Sequence, residues 1–195
     1  MEDFIYQEEN YIKRKDLMDY ENLMMKYDFM PEDIQDDNEY NRVFQYLVNL
    51  TLKAPDFLQP YEFSLSMAKY LESDKELTLL TSDLRKRLLE ACYRIVDKED
   101  IFNKKVEWGW QENRPLIRGL YFEADQLWKQ GEIKKAHELF SKILKTNEND
   151  NIGARYSVKA TQEGLSHQEF EKRFTYSDEY GSYYKHEELT EWFGE

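Results

Sequence analysis

Apolar residues recur at intervals of three and four along almost the whole chain, and this period is the strongest constraint on its fold. A stripe repeating every ~3.6 residues is buried by an α-helix, whereas a strand alternates with period two. Residues 12–28 place Ile12, Leu17, Tyr20, Leu23, Met24 and Tyr27 on overlapping helical faces. Val43, Tyr46, Leu47 and Leu50 do the same over 39–53, and Leu77, Leu80, Leu84, Leu88, Ala91, Cys92 and Ile95 over 76–97. Only 7 glycines and 4 prolines interrupt 195 residues, too few for a many-turned β-sandwich or barrel. No alternating β-branched run and no Asn-Gly or Asp-Gly turn marks a strand pair. The expected class is all-α.

Stop and start signals divide the pattern. Met30-Pro31-Glu32-Asp33 breaks the first run, Asp36 to Asn38 can cap the second, and Ala54-Pro55-Asp56 ends it. A helix follows over 57–72, and Ser73-x-x-Glu76 has the spacing of a capping box before the long run. Residues 100–113 are irregular and include Trp108-Gly109-Trp110. Asn113-Arg114-Pro115 opens a helix to about Lys129, closed by Gln130-Gly131 with the glycine as a left-handed C-cap. Residues 132–146 form the antiparallel return, with Ile133, Ala136, Phe140, Ile143 and Leu144 inward. A turn at Asn147–Asp150 leads to a helix over 151–163 ended by Gly164. Ser166-x-x-Glu169 then starts a short helix to Phe174. The polar, Tyr-rich remainder has one further turn at Glu187–Phe193. Three segments result: an acidic N-terminal helical segment over 1–38, a repeat-like helical domain over 39–174, and an acidic, aromatic tail or cap over 175–195.

Charge excludes several functions. Residues 1–60 hold 14 acids and 6 bases, residues 61–164 hold 18 of each, and residues 165–195 hold 8 acids and 3 bases. With a net charge of −13 and no basic stripe to release counterions, nucleic acid is not an expected partner. The absence of a basic, apolar leader and of a long apolar run makes a cytoplasmic protein without a membrane partner the expectation. Cys92 is the only cysteine, has no internal disulfide partner, and sits on an apolar stripe as a small core residue.

Residues 113–151 carry a resemblance. Ala124, Gly131, Ala136 and Phe140 fall at the spacings of the tetratricopeptide repeat, a helix–turn–helix of ~34 residues with small residues where its helices cross. Ala136-x-x-x-Phe140 matches the second-helix signature, with Gly131 five residues before it. Leu120 stands where the repeat has Trp, Glu123 where it has Leu, and the closing Pro is missing near Asn147–Asn149. Leu52-x-x-Pro55 resembles the end of an earlier unit, with Tyr61 to Leu71 as the first helix of the next. The helix over 151–163 looks like the first of another. The stretch from Asn113-Arg114-Pro115 to Arg155-Tyr156 is also similar to bacterial repeat proteins grouped with the suppressor-of-tumorigenicity family. The resemblance implies a short right-handed superhelical stack of antiparallel hairpins, two to three units long.

No catalytic or cofactor chemistry is legible. His137, His167 and His186 lack ligands at metal spacing, and Ser141 stands where a zinc-protease helix needs His. Asn147-Glu148-Asn149-Asp150-Asn151 fails as a calcium loop because Ile152 and Val158 replace the required Gly and Glu. No phosphate-binding glycine loop occurs. No metal, cofactor or enzymatic activity is expected.

The resemblance implies a groove lined by the first helix of each unit. Counted from Ala124 and Gly131, the groove residues are Arg118, Tyr121, Asp125, Trp128 and Lys129, joined by Arg155 and Lys159 from the next unit. They form a basic, aromatic strip suited to a segment bearing a carboxylate. The family's carboxylate-clamping Lys and Asn are not matched. The expected function is a noncatalytic scaffold or adaptor that binds a peptide or protein segment. The alternative is an acidic inhibitor or immunity-type protein directed at a basic enzyme. Trp108-Gly109-Trp110 is either a plug between helical hairpins or an anchor for a partner. The tail aromatics Tyr176, Tyr180, Tyr183, Tyr184, Trp192 and Phe193 either cap the last helix pair or mediate self-association.

Overall fold

The computed structural model describes residues 1–27, 34–71, 75–178 and 181–194. In chain order the elements are β1 (Glu2–Asp3), α1 (Arg14–Lys26), α2 (Asp37–Lys53), α3 (Gln59–Met67), α4 (Lys75–Glu99), β2 (Lys104–Lys105), α5 (Arg114–Lys129), α6 (Ile133–Thr146), α7 (Ala154–Gln162), α8 (His167–Phe174), β3 (Thr175–Asp178), β4 (Gly181–Tyr184) and α9 (His186–Phe193). The protein is mainly helical, as the period requires. The break at Met30–Asp33 and the cap at Ser73 lie outside the described residues. Among the described residues no helix is long and apolar enough to cross a membrane.

The chain divides into two compact units, with the division falling inside α5. The first comprises residues 5–101 with 110–116. Its α2 starts where Asp36 accepts a bond from the Glu39 N–H (2.8 Å) and ends at Ala54, whose N–H reaches Leu50 O at 2.9 Å. Pro60 occupies the first turn of α3, where its missing N–H costs nothing. Tyr20 and Met24 of α1 pack with Val43, Phe44, Leu47 and Leu50 of α2 and with Phe57 and Met67. Helix α4 buries Leu84, Leu88, Ala91, Cys92, Ile95 and Val96 along one stripe. Cys92 is a free, buried thiol whose pKa burial pushes up, so it is an inert core residue.

Tyrosines serve this core in a way that composition alone does not reveal. The Tyr40 hydroxyl donates to Met67 O (2.7 Å), and Tyr61 donates to Thr51 O and Pro55 O, both at 3.2 Å. The Tyr6 hydroxyl donates to Asp56 O, while Tyr6 N–H reaches Asn113 Oδ1 at 2.8 Å. Each ring contributes apolar area and carries a donor that finds a backbone carbonyl. Glu8 accepts from the Gln59 amide. Burial, with Glu112 and Glu21 nearby, pushes the Glu8 carboxyl up to about 7.

The second unit comprises residues 1–4, 102–109 and 117–195. Gly131 (φ 82°) ends α5 with bonds from Gly131 N to Trp128 O (3.0 Å) and from Glu132 N to Leu127 O (2.9 Å), a Schellman turn. Gly164 ends α7 the same way, through Thr161 O and Ala160 O. Ala124 of α5 and Ala136 of α6 are fully buried, and Phe140 of α6 lies 5.1 Å from Tyr121 and 6.0 Å from Trp128 of α5 between ring centres. The capping box of α8 is complete, with Ser166 and Glu169 exchanging side-chain and backbone bonds.

Strands were not expected, and among the described residues two short pairs are present. β1 runs parallel to β2, with Glu2 opposite Lys104 and Asp3 opposite Lys105, so acids face bases. β3 and β4 pair antiparallel, with Tyr176 opposite Tyr183 and ring centres 5.7 Å apart. Thr and Tyr favour this half-exposed setting, and the pairing follows from cross-strand contacts that no local turn signature announces.

Candidate functional site

Helical geometry sorts the predicted strip on α5 by burial. At ~100° per residue from Ala124, Ile117, Leu120 and Trp128 lie within ~40° of the inward direction, Tyr121 lies near ~60°, and Asp125, Arg118 and Lys129 lie at ~100–140°. Exposure follows that order. Ile117, Leu120 and Trp128 are buried, Tyr121 and Asp125 are half-buried, and Arg118 and Lys129 are exposed. Trp128 therefore does not line an open groove. It is only 3% exposed, its indole N–H donates to Leu165 O (2.8 Å), and its ring packs against Phe140, His167 and Phe170. The stripe Leu120, Ala124, Trp128 at steps of four was the sequence signal for this placement.

The other strip residues also meet neighbours within the unit. Arg118 lies over the Trp108 ring at 4.9 Å. The Tyr121 hydroxyl is 3.0 Å from Ser157 Oγ, which links α5 to α7, and burial raises its pKa. Asp125 pairs with Lys129 (2.6 Å) and with His167 Nε2 (3.1 Å). Arg155 pairs with Asp150 at 2.9 Å, and Asp150 also accepts the N–H groups of Ala154 and Arg155 at the start of α7. Asp150 is thus a buried cap for α7, a role the turn-like sequence around it did not disclose.

Lys159 faces α9. Its ammonium donates to Trp192 O and to Phe193 O (3.3 Å), and it sits 4.8 Å from the Trp192 ring. Phe193 meets Tyr156 edge-on at 5.4 Å, and Trp192 lies 4.8 Å from Phe174 and 6.2 Å from Phe170. The tail therefore folds back onto α7 and α8. Tyr180 lies outside the described residues. Sequence reasoning missed Phe170, Arg173 and Phe174 as receivers of the tail, although their i, i+3, i+4 spacing placed them together.

Trp108 is half-buried, and its backbone N–H reaches Asn147 Oδ1 at 3.3 Å beside the Val106 N–H to Thr146 O bond (2.7 Å) at the end of α6. Trp110 belongs to the first unit and is 48% exposed. Among the described residues no group of three or more His, Cys, Asp or Glu side chains could hold a metal ion. No family model matches this sequence, and no curated protein or solved structure matches it.

Proposed function

We propose that the protein is a noncatalytic interaction adaptor, built on tetratricopeptide-like hairpins, that binds a carboxylate-bearing segment of a protein partner. The observation that carries this reading is the Tyr121–Ser157 hydrogen bond (3.0 Å), which joins α5 to α7. In a repeat stack those would be the first helices of successive hairpins, and their adjacency is what a shared concave face requires. The fully buried Ala124 and Ala136 support close crossing of α5 and α6. The working edge of the strip is then its solvent-facing side, with Arg118, Asp125 and Lys129 on α5 and Arg155 on α7. Trp128 supports the strip from beneath.

The test is a partner recovered by pull-down and remeasured with Arg118→Ala and Arg155→Ala. Loss of a charge-assisted contact at the working edge weakens binding about tenfold, equivalent to ~1.4 kcal/mol. Folded variants that bind as tightly as the parent would remove the α5–α7 face as the site.

A further inference from the structure

Helix α9 rests on a side of α7 and α8 that receives its aromatic side chains and its carbonyl end. Its carboxylates Glu187, Glu188 and Glu191 are exposed, while Leu189 is buried and Trp192 and Phe193 are half-buried. Trp192 sits against Phe174 and Phe170, with the Arg173 guanidinium 5.7 Å from its ring centre. Phe193 meets the edge of Tyr156. Lys159 donates to the carbonyls of Trp192 and Phe193. Those carbonyls lie in the last turn, where no helical N–H can reach them, and a cation there also meets the negative end of the helix dipole. The contact thus reads three properties of a helix: its carboxyl end, one indole and one phenyl ring.

Apart from this contact, α9 is held by the bond from Lys185 N to Phe174 O (2.7 Å) before it, by the Gly194 cap after it and by the Lys185–Glu188 and Thr190–His186 contacts within it. Eight residues fall below the ~12–15 at which an isolated helix becomes marginally stable in water. No side chain caps its N-terminus. An eight-residue helix freed of the cradle would be too short to hold itself, which makes its seating separable in principle from the fold of α5–α8.

We propose that the α7–α8 face formed by Tyr156, Lys159, Phe170, Arg173 and Phe174 is a docking site for a helix of a partner protein ending in a Trp-Phe pair, with α9 as the chain's own displaceable occupant. The inference rests on the reading of the protein as an interaction adaptor and assigns its ligand preference to α7–α8. Amphipathic helices laid into apolar grooves are a general recognition mode, and here Lys159 and Arg173 select the carbonyl end and the indole of the helix. A tethered occupant competes at an effective concentration of order millimolar, so only a partner that binds much more tightly than that displaces it.

The probe is a labelled peptide with the sequence of residues 185–194, titrated by fluorescence anisotropy into the full-length protein. The parent is expected to bind it weakly. Trp192→Ala/Phe193→Ala, which empties the cradle, is expected to bind at least tenfold more tightly, and adding Lys159→Glu should abolish that gain. Equal affinity for parent and double variant, or binding to neither, overturns the proposal. A peptide-dependent shift to dimers of the parent would make a second copy the occupant and also overturn it. If circular dichroism shows that the double variant has lost its fold, amide exchange on the parent decides. Residues 188–193 are expected to exchange at least a hundredfold faster than the core of α6, and equal protection would show that α9 never leaves. The peptide assay needs no cellular partner and leaves Arg118 and Arg155 untouched, so its failure is distinct from failure of the α5–α7 reading.

Discussion

Replacing Trp128 separates a groove-lining residue from a buried one. The side chain is 3% exposed, touches Phe140, His167 and Phe170, and donates to Leu165 O at 2.8 Å. Truncation of a buried Trp to Ala costs ~3–5 kcal/mol through lost transfer energy and the cavity left behind. Trp128→Phe keeps most of the packing but removes the indole donor, a loss of ~0.5–1.5 kcal/mol, with about 1 kcal/mol more for lost ring area. Were Trp128 on an open face, both changes would fall within ~0.5 kcal/mol of the parent. Urea unfolding followed by far-ultraviolet circular dichroism reads the difference. With a slope of about 2 kcal/mol/M, Trp128→Ala moves the midpoint of the second unit's transition down by ~1.5–2.5 M, and Trp128→Phe falls between it and the parent. In a thermal scan the second unit of the alanine variant melts at least ~12 °C lower. A Trp128→Ala protein with the parent's midpoint and slope would refute the burial argument and return Trp128 to the surface.

Two further outcomes are expected. Glu8 has its carboxyl pKa raised from 4.5 to about 7, so between those values the folded chain binds the proton more tightly than the unfolded chain, and this group's contribution falls as pH rises through about 5 to 7. Glu8→Gln keeps an acceptor for Gln59 and removes the charge, so the variant should be more stable than the parent at pH 8 and show a flatter pH dependence of the urea midpoint over pH 5–8. Gly131→Ala meets no atom within 4 Å of the new Cβ, so its cost is that of the left-handed backbone alone, ~1–2 kcal/mol by urea unfolding.

Helix positions were legible because their signals are local. Asp36, Gly131, Gly164 and the Ser166–Glu169 box act within four or five residues of the ends they define, and each is found in that role. The burial of Ala124, Ala136 and Phe140 was legible because each lies on the apolar stripe of its own helix. The strip was legible only in part. Arg118, Tyr121, Asp125 and Trp128 share a face by spacing, but a face is broad, and Trp128 lies at its inward margin. Which side of that margin is buried depends on α6 and α8, which the spacing within α5 does not encode. The seat of the tail on Lys159 and Tyr156 and the pairing of β3 with β4 were hidden for a related reason. Both depend on partners selected by tertiary packing, and four-residue strands carry too few positions to show a period.

The parallel pairing of β1 with β2 bears on how the chain is made. Glu2 waits for Lys104, about a hundred residues later, so at ~5–20 residues per second its partner leaves the ribosome roughly 5–20 s after it. Residues 5–101 supply nearly all of the first unit and can collapse during that interval, whereas the second unit requires chain from both sides of it. Closing so long a loop for two bridged residues is entropically unfavourable, and the bond from Phe4 N to Lys105 O can persist only once α6 has given the Lys104–Gly109 segment its seat at Thr146 and Asn147. Glu2 and Asp3 are therefore fixed only after the chain as far as Asn147 has been made, later than the helices of residues 5–101 can collapse.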